Sequence, residues 1–232
     1  MPPCYTGPTE RMNIMRFETV IYDLDGTLLN TLPDLAAACN YAMEHSGCPL
    51  HTDAEVASFI GGGADQLVRM ALPKDASQEV FEKALRLYME YYGQHKADLT
   101  APYEGILPML EAAQQAGIRQ AVVSNKSDPN VKALCSHYFG TLIGHAAGAM
   151  PGVRPKPEPD SIIRIMEALG CDPARVLYVG DSDTDVIAAR RAGVACAAVC
   201  WGYRPESCLA AEHPEWLIHT PGELTDLLVS DD

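Results

Sequence analysis

Apolar residues along this chain fall into two alternating patterns. Short continuous runs, Thr19–Leu24, Arg119–Ser124, Arg175–Gly180, Ala195–Cys200 and Glu215–Ile218, have the length of strands buried on both faces, and Thr141–His145 is a weaker sixth. Between the later runs the period lengthens to that of a helix. One such stretch, Glu104–Ala116, stops at Gly117, where a left-handed helix cap is expected. Another starts at Asp128-Pro129, read as N-cap and first helical residue. Asp160–Leu169 carries Ile162, Ile163, Ile165, Met166 and Leu169 before Gly170, and Asp183–Ala192 precedes Gly193. Strand–helix alternation of this kind predicts an α/β fold with a parallel, doubly wound, Rossmann-like sheet.

The alternation breaks between residues 31 and 102, where no strand-like run occurs. Leu35, Cys39, Ala42 and Met43 share a helical face, and Thr52-Asp53-Ala54-Glu55 matches a capping box. Val80, Ala84, Leu87, Tyr88 and Tyr91 form a stripe on a longer helix. A crossover needs only one helix. Residues 31–102 are therefore expected to form a small all-helical cap domain, inserted into a core of residues 17–30 and 103–232. Rooted beside the end of the first strand, it is placed to cover that end as a lid. Residues 1–16 are Pro-containing and aperiodic; they predict a disordered extension, with Met12 and Met15 as internal starts.

Composition narrows the classes. The chain has 232 residues, 47% hydrophobic and 21% charged, the balance of a soluble globular protein. No apolar run approaches the roughly 20 residues of a membrane span, and the N-terminus lacks the pattern of a secretory signal. A net charge of −14 argues against nucleic acid as the main partner, because a phosphate backbone requires a basic surface. An anionic small substrate would have to be drawn in by local positive charge. The eight cysteines show no Cys-x-x-Cys pair and predict reduced thiols in a cytoplasmic protein.

Candidate chemistry lies at the strand ends. Asp23 and Asp25 sit two residues apart where the first apolar run stops, followed by Gly26. In open α/β sheets that edge is where ligands bind. The pair suits a metal, a nucleophile or both, against the plainer reading of a solvated Asp-Gly turn. An EF-hand-type loop fits poorly, because Leu28 stands where its glycine belongs. Ser124 and the N–H groups after it, Asn125 included, can bind phosphate oxygens or simply cap a strand end. Lys156 is flanked by Pro155 and Pro157, a stiff mount for a phosphate-neutralising cation or simply a solvated lysine in a Pro-rich loop. Asp181 and Asp185 lie at a strand tip and in the following helical turn, as metal ligands or as capping acids; Asp183 reads as exposed. Gly61-Gly62-Gly63 follows a helical pattern and lacks dinucleotide-binding spacing, so it reads as a loop of the lid. Trp201-Gly202-Tyr203-Arg204 reads as a packed loop, and Arg69 as a surface arginine or, on the cap, a partner for a substrate carboxylate.

Together and in this order, the segments DLDGT, VVSN, KPEP and GDSDTD resemble the four motifs of the haloacid dehalogenase superfamily. The helical insert is similar to its type 1 cap. Leu32-Pro33-Asp34-Leu35, Ile60-Gly61-Gly62-Gly63-Ala64, Ala101-Pro102-Tyr103 and Trp201-Gly202-Tyr203 are similar to phosphoglycolate phosphatases. The resemblance implies a Mg²⁺-dependent phosphatase of a small phosphorylated metabolite, 2-phosphoglycolate foremost, working through an aspartyl-phosphate. It implies Asp23 as nucleophile and Asp25 as acid, then base. Ser124, Asn125 and Lys156 would hold the phosphoryl group. Mg²⁺ would be held by Asp23, Asp181 and the Asp25 carbonyl, with Asp185 in its outer shell. A covered site would favour the protonated form of Asp25. A phosphatase of a sugar phosphate or pyrophosphate, a mutase-like phosphotransferase and a non-catalytic regulator share the same core. Tyr22 stands where the family commonly has Phe.

Overall fold

The computed structural model describes residues 16–230. The expected N-terminal extension lies outside the described residues except for Arg16, whose guanidinium rests 4.5 Å from the Trp216 ring centroid. One sheet contains β1 (Thr19–Tyr22), β4 (Arg119–Ser127), β5 (His145–Ala149), β6 (Val176–Gly180), β7 (Ala195–Val199) and β8 (Trp216–Ile218). Its order is β5-β4-β1-β6-β7-β8 and every pairing is parallel. The chain runs from β1 out to β4 and β5, then returns to β6 on the other flank of β1. The switch in direction lies at β1, so its carboxyl end opens the crevice where such sheets bind ligands.

Alternation along each strand divides the core between two faces. Val20, Tyr22, Val122, Leu177 and Val179 pack with α5 (Ile106–Gln115), α6 (Asp128–Phe139) and α10 (Pro221–Val229). Ile21, Ala121, Val123, Val176 and Tyr178 pack with α7 (Asp160–Leu169), α8 (Asp183–Ala192) and α9 (Glu206–Ala211). Burial on both faces is why these strands read as unbroken apolar runs. The Tyr22 hydroxyl is fully buried and donates to Gln120 Oε1 at 3.1 Å, so the extra oxygen is satisfied.

Some boundaries differ from the sequence expectation. β1 stops at Tyr22, because the N–H groups of Leu28 and Leu29 both fold back onto the Leu24 carbonyl at 3.1 and 3.0 Å. β4 continues through Ser124 to Ser127, with its register against β5 shifting between Val123 and Ser127. Ser127, not Asp128, caps α6. The weak strand lies later than expected, at His145–Ala149, because Ala146, Ala147 and Gly148 lack the apolar bulk that marks a strand. The seven described cysteines are free thiols, and no described helix is long and apolar enough to cross a membrane.

Between β1 and β4 the chain forms α1 (Leu32–His45), α2 (Asp53–Phe59), α3 (Gly63–Ala71) and α4 (Gln78–His95). These helices bury their own cluster, including Leu35, Cys39, Met43, Val56, Val68, Phe81, Ala84 and Tyr88. Thr52 and Glu55 form the expected capping box. The insert leaves and re-enters through a two-stranded antiparallel ribbon, β2 (Leu29–Asn30) with β3 (Ala101–Pro102). Asp34, 2% exposed, closes this junction. It accepts from the N–H groups of Leu99 and Thr100 and from Thr100 Oγ1, at 3.0, 2.8 and 2.7 Å. Asp34→Ala strands these donors without partners and is expected to destabilise the protein by about 3 kcal/mol. Urea unfolding would show a lower midpoint at unchanged slope.

Candidate active site

The carboxyl ends of β1, β4 and β6 bring the sequence-selected residues together. Asp23, Asp25, Ser124, Asn125 and Asp181 line one cavity, which the insert closes with Leu35, Gly61, Gly63, Leu67, Tyr88 and Tyr92. Lys156 and Asp185 are buried just beneath it, at 3% and 0% side-chain exposure. The Asp23 N–H remains in the sheet ladder, bonded to the Val179 carbonyl at 2.8 Å. That bond continues the sheet under Asp23 and orients it.

Lys156 organises the acids. Its Nζ lies 2.6 Å from Asp185 Oδ1, 2.9 Å from Asp23 Oδ1 and 3.0 Å from the Tyr178 hydroxyl. Burial opposes its charge, but Asp185 and Asp23 outweigh burial and hold the ammonium above the ordinary lysine value. Asp185 spends Oδ2 on the Ser182 N–H and hydroxyl at 3.1 and 2.5 Å, completing a capping box at the start of α8. Asp185 thus caps α8 with one oxygen and pairs with Lys156 through the other. Asp181 is anchored by Thr27 Oγ1 at 3.0 Å and by the Tyr203 N–H at 2.8 Å.

Glycine is required where the turn passes Asp181. Gly26 has φ +84°, and a Cβ there would lie 2.3 Å from Asp181 Oδ2. Gly63 has φ +83°, and its Cβ would stand 2.9 Å from the Asn125 carbonyl oxygen. The glycine loop of the insert thus rests directly on the end of β4.

The two aspartates of the first turn have different partners. Asp23 faces Lys156, whereas Asp25 Oδ1 accepts from Thr31 Oγ1 at 2.6 Å and pairs with the Lys126 ammonium. Ser124 Oγ lies 3.5 Å from Asp25 Oδ2 and accepts from the Lys126 N–H at 3.2 Å. Asp25 is therefore covered, as expected, but beside a cation that the sequence reading passed over. The Asn125 side chain joins three segments: its Nδ2 donates to the carbonyls of Gly61 and Lys156, and its Oδ1 accepts from the Lys156 N–H.

The acids fit a divalent cation. Asp23, Asp181 and Asp185 each bring an oxygen within 4.8 Å of the others. Asp23 Oδ1 is buried against Lys156 Nζ at 2.9 Å, and a carboxylate oxygen keeps a second lone pair that a metal could take. Burial, reinforced by the neighbouring carboxylates against Lys156, pushes the Asp23 carboxyl up to about 8. Burial and then Asp185 push Asp181 up to about 7. Three buried carboxylates against one ammonium leave an excess of negative charge that a hard cation would offset.

Other contributors had weak sequence signals. Lys126 directly follows the Ser124-Asn125 motif, and Thr27 and Thr31 flank the aspartate turn. Trp201 Nε1 donates to the Thr27 carbonyl at 3.0 Å, and the Tyr203 hydroxyl accepts from the Thr31 N–H at 2.9 Å. Arg204 donates to the carbonyls of Ala57 and Ile60, tying the core loop to the end of α2, and lies 3.8 Å from half-buried Asp183. The loop read as packing only is thus a brace for Asp181 and the insert. Arg69 is exposed, with its guanidinium 3.6 Å from the Phe81 ring centroid, and does not line the cavity.

The model of the haloacid dehalogenase-like hydrolases matches residues 20–199. Phosphoglycolate phosphatase 1 of Pseudomonas aeruginosa is 36% identical over 219 residues, spanning 90% of this chain and 78% of the relative. The phosphoglycolate phosphatase of Pasteurella multocida is 32% identical over 92% of this chain and 99% of its own. A crystal structure from Lactobacillus delbrueckii subsp. bulgaricus superposes with TM-score 0.87 at 29% identity, covering 93% of this chain and 100% of that one. The structure of CbbY from Rhodobacter sphaeroides in complex with phosphate aligns with TM-score 0.75 at 26% identity, over 90% and 96% of the two chains. With the match extending from β1 to the end of β7, the chain belongs to the haloacid dehalogenase-like hydrolase family.

Proposed function

We propose that the protein is a Mg²⁺-dependent phosphatase of 2-phosphoglycolate, acting through an aspartyl-phosphate on Asp23. The observation that carries this reading is the Asp23 carboxylate, buried at the end of β1, held by Lys156 and within reach of Asp181. A carboxylate oxygen so placed can act as ligand and nucleophile on a rigid strand end. The substrate reading rests on the named activity of the Pseudomonas and Pasteurella relatives.

Asp23 attacks phosphorus, forming a new P–O bond as the ester P–O bond breaks. Asp25 gives its proton to the departing alkoxide, then takes one from the water that hydrolyses the acyl-phosphate. Two residues from Asp23, it can reach the leaving side while Asp23 addresses phosphorus. Ser124 Oγ and the Asn125 N–H hold phosphoryl oxygens. Lys156 fixes Asp23 through its triad of contacts and offsets the incoming charge. Asp23, Asp181 and the Asp25 carbonyl would hold Mg²⁺, with Asp185 as outer support, and the ion would supply charge neutralisation for the phosphoryl group. The helical insert acts as the cap: with Gly61 and Gly63 on the β4 end it encloses the cavity, where the charges of the site act more strongly on the phosphoryl group than in open water.

Asp23→Asn is expected to lower phosphate release from 2-phosphoglycolate by at least about 1,000-fold, since it removes the attacking carboxylate. Chelation should abolish turnover, and Mg²⁺ should restore it. A variant rate near wild type would overturn the nucleophile, and full turnover after chelation would overturn the metal. If turnover of 2-phosphoglycolate does not exceed that of other small phosphomonoesters, the substrate assignment fails while the phosphatase assignment stands.

A further inference from the structure

Two polar groups in the cavity have no task in the chemistry above. Lys126 is 8% exposed and lines the cavity, with its Nζ 4.8 Å from the centroid of Tyr92. Tyr92 lines the same cavity, is 3% exposed, and its hydroxyl has no hydrogen-bond partner. A buried phenol without a partner carries a desolvation cost that a ligand would relieve. Burial, the largest cause, also holds this phenol far above its ordinary value, so it remains an O–H donor.

The cations of the site divide by position. Lys156 lies beneath the cavity with its ammonium committed to Asp23, Asp185 and Tyr178. Among the described residues lining the cavity, the basic ones are Lys126 and Arg204. Arg204 is engaged by the carbonyls of Ala57 and Ile60. An ammonium has three donors, of which Asp25 takes one in the Lys126 contact. Lys126 can therefore bind an anion while keeping Asp25.

We propose that Lys126 and the Tyr92 hydroxyl form the specificity site for the leaving group, binding a carboxylate on the carbon next to the ester oxygen. This rests on the phosphatase reading and names the groups that select its substrate. Asp25 has to reach the ester oxygen to protonate it. Lys126 touches Asp25, so an anion two bonds beyond that oxygen falls within its reach. Short 2-phospho-carboxylates satisfy this spacing. An analogue ending in an uncharged hydroxyl loses the ion pair with Lys126 and exchanges a charge-assisted bond from the Tyr92 hydroxyl for a weaker neutral one. An ammonium-bearing ester meets Lys126 with like charge.

The test compares kcat/KM for 2-phosphoglycolate and 2-hydroxyethyl phosphate, the same ester with its carboxylate reduced to an alcohol. Wild type should prefer the carboxylate on the order of 100-fold. Lys126→Met should cut that preference to within about tenfold, and Lys126→Arg should restore part of it. Tyr92→Phe, which removes only the unpaired oxygen, should reduce the preference severalfold without lowering the melting temperature. The proposal is overturned if Lys126→Met slows both esters by the same factor, or if Tyr92→Phe leaves the preference intact. Should Lys126→Met not fold, the Lys126→Arg and Tyr92→Phe ratios decide. A wild type that hydrolyses both esters equally refutes the carboxylate site but leaves the phosphatase standing. One that hydrolyses neither with Mg²⁺ refutes both readings.

Discussion

The buried ammonium of Lys156 is the interaction on which the rest of the site depends. It joins a loop between β5 and α7 to Asp23 after β1 and Asp185 on α8. Burying an unpaired charge is costly, and removing one partner of such a cluster typically costs 3–5 kcal/mol. The three segments therefore cannot drift independently. The same contact limits repulsion among Asp23, Asp181 and Asp185, which would otherwise push apart at the sheet edge. One cation is not enough for three carboxylates, and a metal ion is what would offset the shortfall.

A second set of contacts places the helical insert over that edge. Asn125 reaches the Gly61 carbonyl, and Arg204 reaches the end of α2. Tyr203 holds Thr31 at the root of the insert with its hydroxyl and Asp181 with its N–H. These bonds use backbone carbonyls and side-chain tips. Directional bonds of this kind hold one arrangement at modest free energy, each worth about 1 kcal/mol net. That suits an enclosure that has to admit substrate and release product.

Much of the candidate site was legible because charged and hydroxyl residues stand out at the ends of buried apolar strands. Asp23, Asp181 and Lys156 interrupt apolar or proline-stiffened segments, where a polar group has to have a reason. Lys126, Tyr203 and Arg204 gave no such signal. A lysine after an asparagine, or a tyrosine in a Trp-Gly loop, is ordinary in sequence. Their roles come from what stands opposite in space: Asp25, Asp181 and the carbonyls of α2. The weak strand at His145–Ala149 was displaced for a related reason, since its small residues take their burial from neighbours.

By itself the sequence determined the α/β class, the interruption by an all-helical insert and which acids stand at the strand ends, because local periodicity and residue chemistry depend on near neighbours. Tertiary structure alone decided how the cations are shared. Asp23 and Asp25 are two residues apart, yet one pairs with Lys156 and the other with Lys126, which are distant in the chain. Coulomb interactions depend on distance through space and on burial, and neither is set until the sheet edge and the insert meet.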